Sequence, residues 1–170
     1  MLRYFLLIFL AACKQTHEPE RFNLGRIATA AEIKAWDIDV RPDGRGLPEG
    51  SGTVSEGRNI YTAKCALCHG KTGVEGPYNV LVGDTTKAKT IGNYWPYATT
   101  LFDYTRRAMP FNQPGSLTDN EVYSITAFLL HANKIIDSTT EMNKHTLPAI
   151  VMPAHKYFVN DNRQGGPEVK

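Results

Sequence analysis

Cys65-Ala66-Leu67-Cys68-His69-Gly70 is the stretch on which the fold of this 170-residue chain turns. Two cysteines three positions apart lie about one helical turn apart on the same side of a helix, and a histidine follows directly. CxxCH is the attachment signature of a c-type haem. Two thiols at that spacing can reach the two vinyl groups on one porphyrin edge, and the adjacent imidazole can then point at the iron. Other chemistries also use paired cysteines. A thioredoxin-like dithiol sits in a βαβ pattern, whereas the flanks here read as helical with no apolar strand before them. A zinc site needs a second ligand pair at its own short spacing, whereas His131, His145 and His155 are 14 and 10 residues apart. The residues favour one covalently attached haem c, held by Cys65, Cys68 and His69.

The flanks supply helices for such a centre. Thr53 and Glu56 have capping-box spacing, and Val54, Gly57, Ile60, Tyr61, Lys64 and Cys65 follow helical periodicity, which predicts a helix over about 54–66. Downstream, Thr118 and Glu121 form a second box, with Leu117 and Val122 at the staple positions. The run Val122, Tyr123, Ile125, Ala127, Phe128, Leu129, Leu130 is apolar on nearly all sides, so that helix must be covered. Gly57 beside Tyr61 offers a close approach at which the two helices can cross, with Phe128 packed on the first. A third helical stretch, Tyr97 to Arg107, ends in Arg-Ala-Met-Pro-Phe, where Pro110 biases Met109 out of helical geometry and turns the chain.

Outside this centre the pattern weakens. Thr29 and Glu32 predict a short helix with Ile33 and Trp36 as its apolar contacts. Asp43, Gly44, Gly46, Pro48, Gly50 and Gly52 break regular structure. Residues 26–52 therefore read as an extension packed on the core, with too few apolar residues for a domain of their own. Residues 136–170 contain Pro148, Pro153 and Pro167 and little periodicity, and read as an irregular C-terminal tail.

The N-terminus carries an address. The apolar run Tyr4–Ala12 has nine residues, far short of the roughly 20 that a spanning helix needs. Arg3 and the run Phe5–Leu10 make an export signal over 1–12. Leu10-Ala11-Ala12-Cys13 resembles the lipobox of bacterial lipoproteins, in which cleavage precedes an acylated cysteine. The alternative is an ordinary signal cut near Ala12 with an incidental thiol. On the lipobox reading Cys13 is the membrane anchor, 13–25 is a polar tether, and the protein is periplasmic, where haem c attachment takes place. With 19 Lys+Arg against 17 Asp+Glu and a net charge of +2, there is no concentrated basic stripe and no reason to expect a nucleic-acid partner.

From CxxCH to the terminal helix, over about residues 53–135, the sequence resembles class I cytochromes c. That resemblance implies a mostly α fold around one haem, a methionine ligand in the loop before the terminal helix, and electron transfer rather than catalysis. Met109 has that position. Met152, also followed by proline, and His131 are the other candidates for the sixth ligand. A His/Met pair raises the reduction potential. The family's Gly-Pro turn resembles Gly76 and Pro77 here, which makes Pro77 the expected acceptor of the second ring proton of His69. Trp95 and Tyr94 either close over the haem propionates or are simple core. Arg106 and Arg107 neutralise propionates, meet an acidic partner or lie on a solvated helix face.

A narrower resemblance runs through AEIKAWDIDVRPDGRGLPEGSG (residues 31–52) and through WPYATTLFDY (residues 95–104) and RRAMPF (residues 106–111). These stretches resemble the cytochrome c subunit or domain of bacterial sulfite and sulfane dehydrogenases. The resemblance implies electrons accepted from a molybdenum subunit and passed to a downstream cytochrome or terminal oxidase. Relatives include two-haem chains, whereas this chain has one CxxCH and no recognisable molybdenum-cofactor motif. A general periplasmic carrier for another dehydrogenase or oxidase is the nearest rival, and a haem enzyme or gas sensor with an open sixth site is a rival of another class.

Overall fold

The computed structural model describes residues 22, 24–83 and 89–159. The export signal over 1–12 and the anchor at Cys13 lie outside the described residues. The chain divides into two units, the first ending at Asp37 and the second starting at Ile38.

The described part of the first unit holds one helix, α1 (Ala30–Trp36), opened by the expected Thr29–Glu32 capping box. Arg26 pairs with Glu32, and that guanidinium, with the Thr29 N–H, lowers the Glu32 carboxyl to about 2. No residue of α1 is buried.

The second unit is mostly helical: β1 (Ser51–Thr53), α2 (Val54–Lys64), α3 (Ala66–His69), α4 (Ile91–Tyr94), α5 (Ala98–Ala108), α6 (Asp119–Ala132) and β2 (Glu141–Asn143), with 3-10 turns at Leu147–Ala149 and His155–Tyr157. Both expected capping boxes form, Thr53–Glu56 on α2 and Thr118–Glu121 on α6. A box missed in the sequence, Thr90–Asn93, opens α4. Each satisfies two of the amide groups that a helix start leaves without partners, a contribution of about 1 kcal/mol.

The crossing of α2 and α6 is the centre of the core. A Cβ on Gly57 would lie 1.8 Å from the Ser124 carbonyl oxygen and 2.8 Å from the Phe128 Cβ, so only glycine permits this approach. Beside it the rings of Tyr61 and Phe128 lie 4.9 Å apart, with the Arg58 guanidinium over Phe128. On the other side of α6, Phe102 of α5 meets Tyr123 at 4.5 Å. Nine consecutive residues of α6, Val122–Leu130, are buried, as a helix apolar on all sides requires.

Segments outside the helices also contribute to this core. Val40 is buried and its N–H donates to the Asp103 carboxylate at 3.0 Å, and the Tyr123 hydroxyl donates to the Pro48 carbonyl. The described part of 136–170 is irregular and lies against this core. β2 pairs antiparallel with β1, Gly52 opposite Met142, and Tyr97 bridges Val151. Met142, Leu147 and Met152 are fully buried. Met142 and Leu147 enter the core from three-residue elements and Met152 from the position after the bridging Val151, which leaves no periodic signature.

Candidate haem-attachment site

The attachment motif sits where α2 stops. The expected continuous helix is interrupted at Cys65, which caps α2 with φ −122° and its N–H on the Tyr61 carbonyl, and α3 restarts at Ala66. The amide of His69 returns to the Cys65 carbonyl at 3.0 Å, so both cysteines and the histidine lie on one tight turn. Both thiols are free, with Cys65 half-buried and Cys68 exposed. Burial pushes the Cys65 thiol up to about 11, which keeps it protonated at neutral pH.

His69 is held by the loop that follows. Its Nδ1 lies 2.9 Å from the Asn79 carbonyl oxygen. A carbonyl can only accept, so Nδ1 carries the proton and Nε2 is left as the free lone-pair donor, the tautomer that a metal-ligating imidazole needs. The acceptor is Asn79 and not Pro77. The turn after Gly76 runs hard against the motif: a Cβ there would lie 2.2 Å from the Cys68 carbonyl oxygen, and the Tyr78 N–H then donates to that same oxygen. This carries the chain two residues past Pro77 before a carbonyl returns over the ring.

The loop is held by few groups. The buried hydroxyl of Tyr61 donates to the Gly70 carbonyl at 2.9 Å. Glu75 accepts from Thr72 and from the Val74 amide, bonds that hold its carboxyl below the usual carboxylate range. The Gly73 carbonyl accepts both the Leu81 and Val82 amides.

Met109 stands at the end of α5 in extended geometry, φ −122° and ψ 147°, with its N–H on the Thr105 carbonyl. The chain turns there as Pro110 leads one to expect. Met109 is partly exposed, whereas Met142 and Met152 are 0% and 1% exposed and packed among core side chains. The Nδ1 of His131 is engaged by the Ile136 carbonyl.

The four expected aromatic and arginine residues are each engaged within the protein. The Arg106 guanidinium pairs with Asp119 at 3.0 Å and donates to the Ile38 carbonyl, joining the end of α5 to the start of α6. Arg107 pairs with Asp103 one turn back on its own helix. Trp95 packs partly buried against the core, edge-on to Tyr104 at 5.7 Å, the core alternative. Tyr94 sits between Phe158 and the Lys89 ammonium. Asn79 and Asn133 were missed in the sequence, since a backbone acceptor leaves no trace in residue type and a lone asparagine carries no spacing signal. The donor set fits a covalent haem: two free thiols and an imidazole whose proton is fixed on the nitrogen away from the metal.

Residues 52–129 match the family described as "Cytochrome C oxidase, cbb3-type, subunit III". A thiosulfate dehydrogenase of Psychrobacter arcticus is 31% identical over 112 aligned positions, covering 55% of this chain and 33% of that protein. The chain thus spans about a third of the length of this curated relative. The crystal structure of the sulfane dehydrogenase SoxCD from Paracoccus pantotrophus matches with a TM-score of 0.74 and 40% identity, over 84% of this chain and 74% of that one.

Proposed function

The chain belongs to the cytochrome c family, and we propose that within it this protein is a single-haem electron-transfer subunit serving a molybdenum sulfite- or sulfane-type dehydrogenase. The observation that carries the reading is the turn itself: two free thiols and His69, whose Nδ1 is committed to the Asn79 carbonyl. Cys65 and Cys68 hold the haem through thioether bonds. His69 Nε2 and the Met109 sulfur, the described methionine sulfur left outside the closed core, would ligate its iron. The haem supplies one-electron exchange between ferrous and ferric iron. Around it, Asn79 orients the imidazole, Tyr61 and Glu75 fix the loop, and the turn at Pro110 aims the thioether.

The likeness to the sulfane dehydrogenase structure over 84% of the chain supports the choice of partner. Electrons pass onward to a downstream cytochrome or terminal oxidase. Cleavage before Cys13 and acylation of that cysteine tether the protein to the periplasmic face of the membrane.

Purification of the native protein with its associated proteins tests the partner: a molybdenum-containing subunit that reduces the haem on addition of sulfite or a sulfane compound is expected. A preparation reduced only by unrelated dehydrogenases would favour a general carrier. Met109→Ala should abolish the ferric methionine absorption band and lower the potential. Rapid carbon monoxide binding to the unaltered ferrous protein, with no ligand displaced, would contradict six-coordination and favour an open-site haem protein. Cys13→Ser should release the protein from membranes.

A further inference from the structure

We propose that Asn133, the C-cap of α6, is a positioning residue for the His69 imidazole, acting through the loop that carries Asn79. The inference rests on the reading of His69 as a haem ligand.

The carboxamide of Asn133 joins three backbone groups. Its Nδ2 donates to the Leu81 carbonyl at 3.2 Å and to the Leu129 carbonyl at 2.9 Å, and its Oδ1 accepts the Gly83 N–H at 3.1 Å. Leu129 belongs to α6, so the side chain welds the end of that helix to the far end of the loop. Gly92 closes the site from another side, since a Cβ there would lie 2.6 Å from the Asn133 Oδ1.

From this anchor the connection to His69 is short. The Leu81 and Val82 amides both return to the Gly73 carbonyl, which closes residues 74–80 into a tight span. Inside it the Tyr78 N–H reaches the Cys68 carbonyl and the Asn79 carbonyl reaches His69 Nδ1. Asn79 is two residues from Leu81, and no helix or strand lies between Gly70 and Gly83 to set the backbone direction. The other end is fixed by the Tyr61 hydroxyl on Gly70. The circuit closes through the core, because α6, which carries Asn133, crosses α2, which ends in the motif.

The consequence is chemical. An imidazole that donates its Nδ1 proton to a well-placed carbonyl is a more basic ligand at Nε2, which favours the ferric state. Loosening that bond makes the ligand poorer and moves the potential upward. Without Asn133, the Gly83 amide loses its acceptor and the Leu81 carbonyl loses one of its donors.

The experiment uses the full-length, haem-loaded protein and compares Asn133→Ala and Asn133→Asp with Thr118→Ala, which removes the cap at the opposite end of α6. Covalent haem content, reduction potential, exchange of the His69 Nδ1 proton in the ferrous state and the thermal midpoint are measured on each. Asn133→Ala is expected to keep its haem, to exchange that proton faster by about tenfold or more, and to shift the potential upward. Asn133→Asp keeps the acceptor for Gly83 and loses the donor to Leu81, so it should fall between; if the alanine variant does not fold, this variant carries the test. Thr118→Ala should lower the thermal midpoint with exchange and potential unchanged. Parent-like exchange and potential in a pigmented Asn133→Ala protein, or equal changes in Thr118→Ala, would overturn the proposal. A parent protein without covalent haem would instead overturn the haem reading on which it stands.

Discussion

The α2–α6 crossing and the loop from Gly70 to Gly83 touch the same motif but are held in different ways. The crossing is closed by apolar burial and by the missing side chain of Gly57, and its contacts repeat along two regular helices. The loop has no regular element, and its shape comes from a handful of hydrogen bonds, most closing within about ten residues and one set reaching Asn133 at the end of α6. The crossing therefore governs whether the protein folds, and the loop governs how the imidazole is presented. Stability and ligand geometry should separate under mutation.

The largest expected effect is on the crossing. Phe128→Ala removes a buried ring from the face of Tyr61 and should cost about 3–5 kcal/mol of folding stability. Denaturant titration checks this, and the visible spectrum of the surviving folded protein should match that of the parent. Gly57→Ala acts at the same place from the other helix. Its Cβ collides with backbone that cannot move aside, and the helices must part at a cost of about 1–3 kcal/mol. A spectral change in either variant would break the division between the regions.

Tyr61 belongs to both regions, its ring to the crossing and its hydroxyl to the loop. Tyr61→Phe keeps the ring and leaves the Gly70 carbonyl without its donor, a loss of about 1 kcal/mol. Unlike the first two variants it should also disturb the signals of the His69 ring in a proton spectrum. An unchanged ring environment would assign the hydroxyl to stability alone.

The smallest effects are those of pH. Glu121 caps α6 and meets the Lys64 ammonium at 2.6 Å, and these contacts, Lys64 first, hold its carboxyl below 4.5. A carboxylate with a depressed folded pKa contributes fully above the unfolded value and loses that contribution as the pH falls through the folded one. Stability should therefore decline below about pH 4.5, and Glu121→Gln should decline less steeply. The alkaline side has the opposite sign. Burial pushes the Tyr61 and Tyr123 phenols up to about 12. Their contribution is complete below pH 10 and lost as the pH rises through about 12. Thermal midpoints across this range measure both arms.

What could be read in the sequence follows the same division. The capping boxes at Thr29, Thr53 and Thr118 were legible because their chemistry is complete within four residues. The approach of Phe128 to Gly57 and Tyr61 was legible because helical periodicity and a missing side chain both mark it. The acceptor of the His69 proton was placed two residues early, at Pro77 instead of Asn79, because a carbonyl's direction depends on the whole path of the loop and on no residue type. Asn133 was invisible for the same reason. In the sequence Arg106 stands between the propionates, an acidic partner and a solvated face; its contacts with Asp119 and the Ile38 carbonyl need the tertiary fold to appear. Met142, Leu147 and Met152 filled the core from a segment without periodicity, where burial of single residues leaves no pattern to find.

The attachment of the haem is tested most directly by acidified-acetone extraction of the mature protein, followed by a pyridine haemochrome spectrum of the pellet and of the supernatant. Thioether bonds from Cys65 and Cys68 predict that the pigment stays with the polypeptide and that Cys65→Ala/Cys68→Ala loses it. A colourless protein, or pigment that passes wholly into the supernatant, would contradict the account.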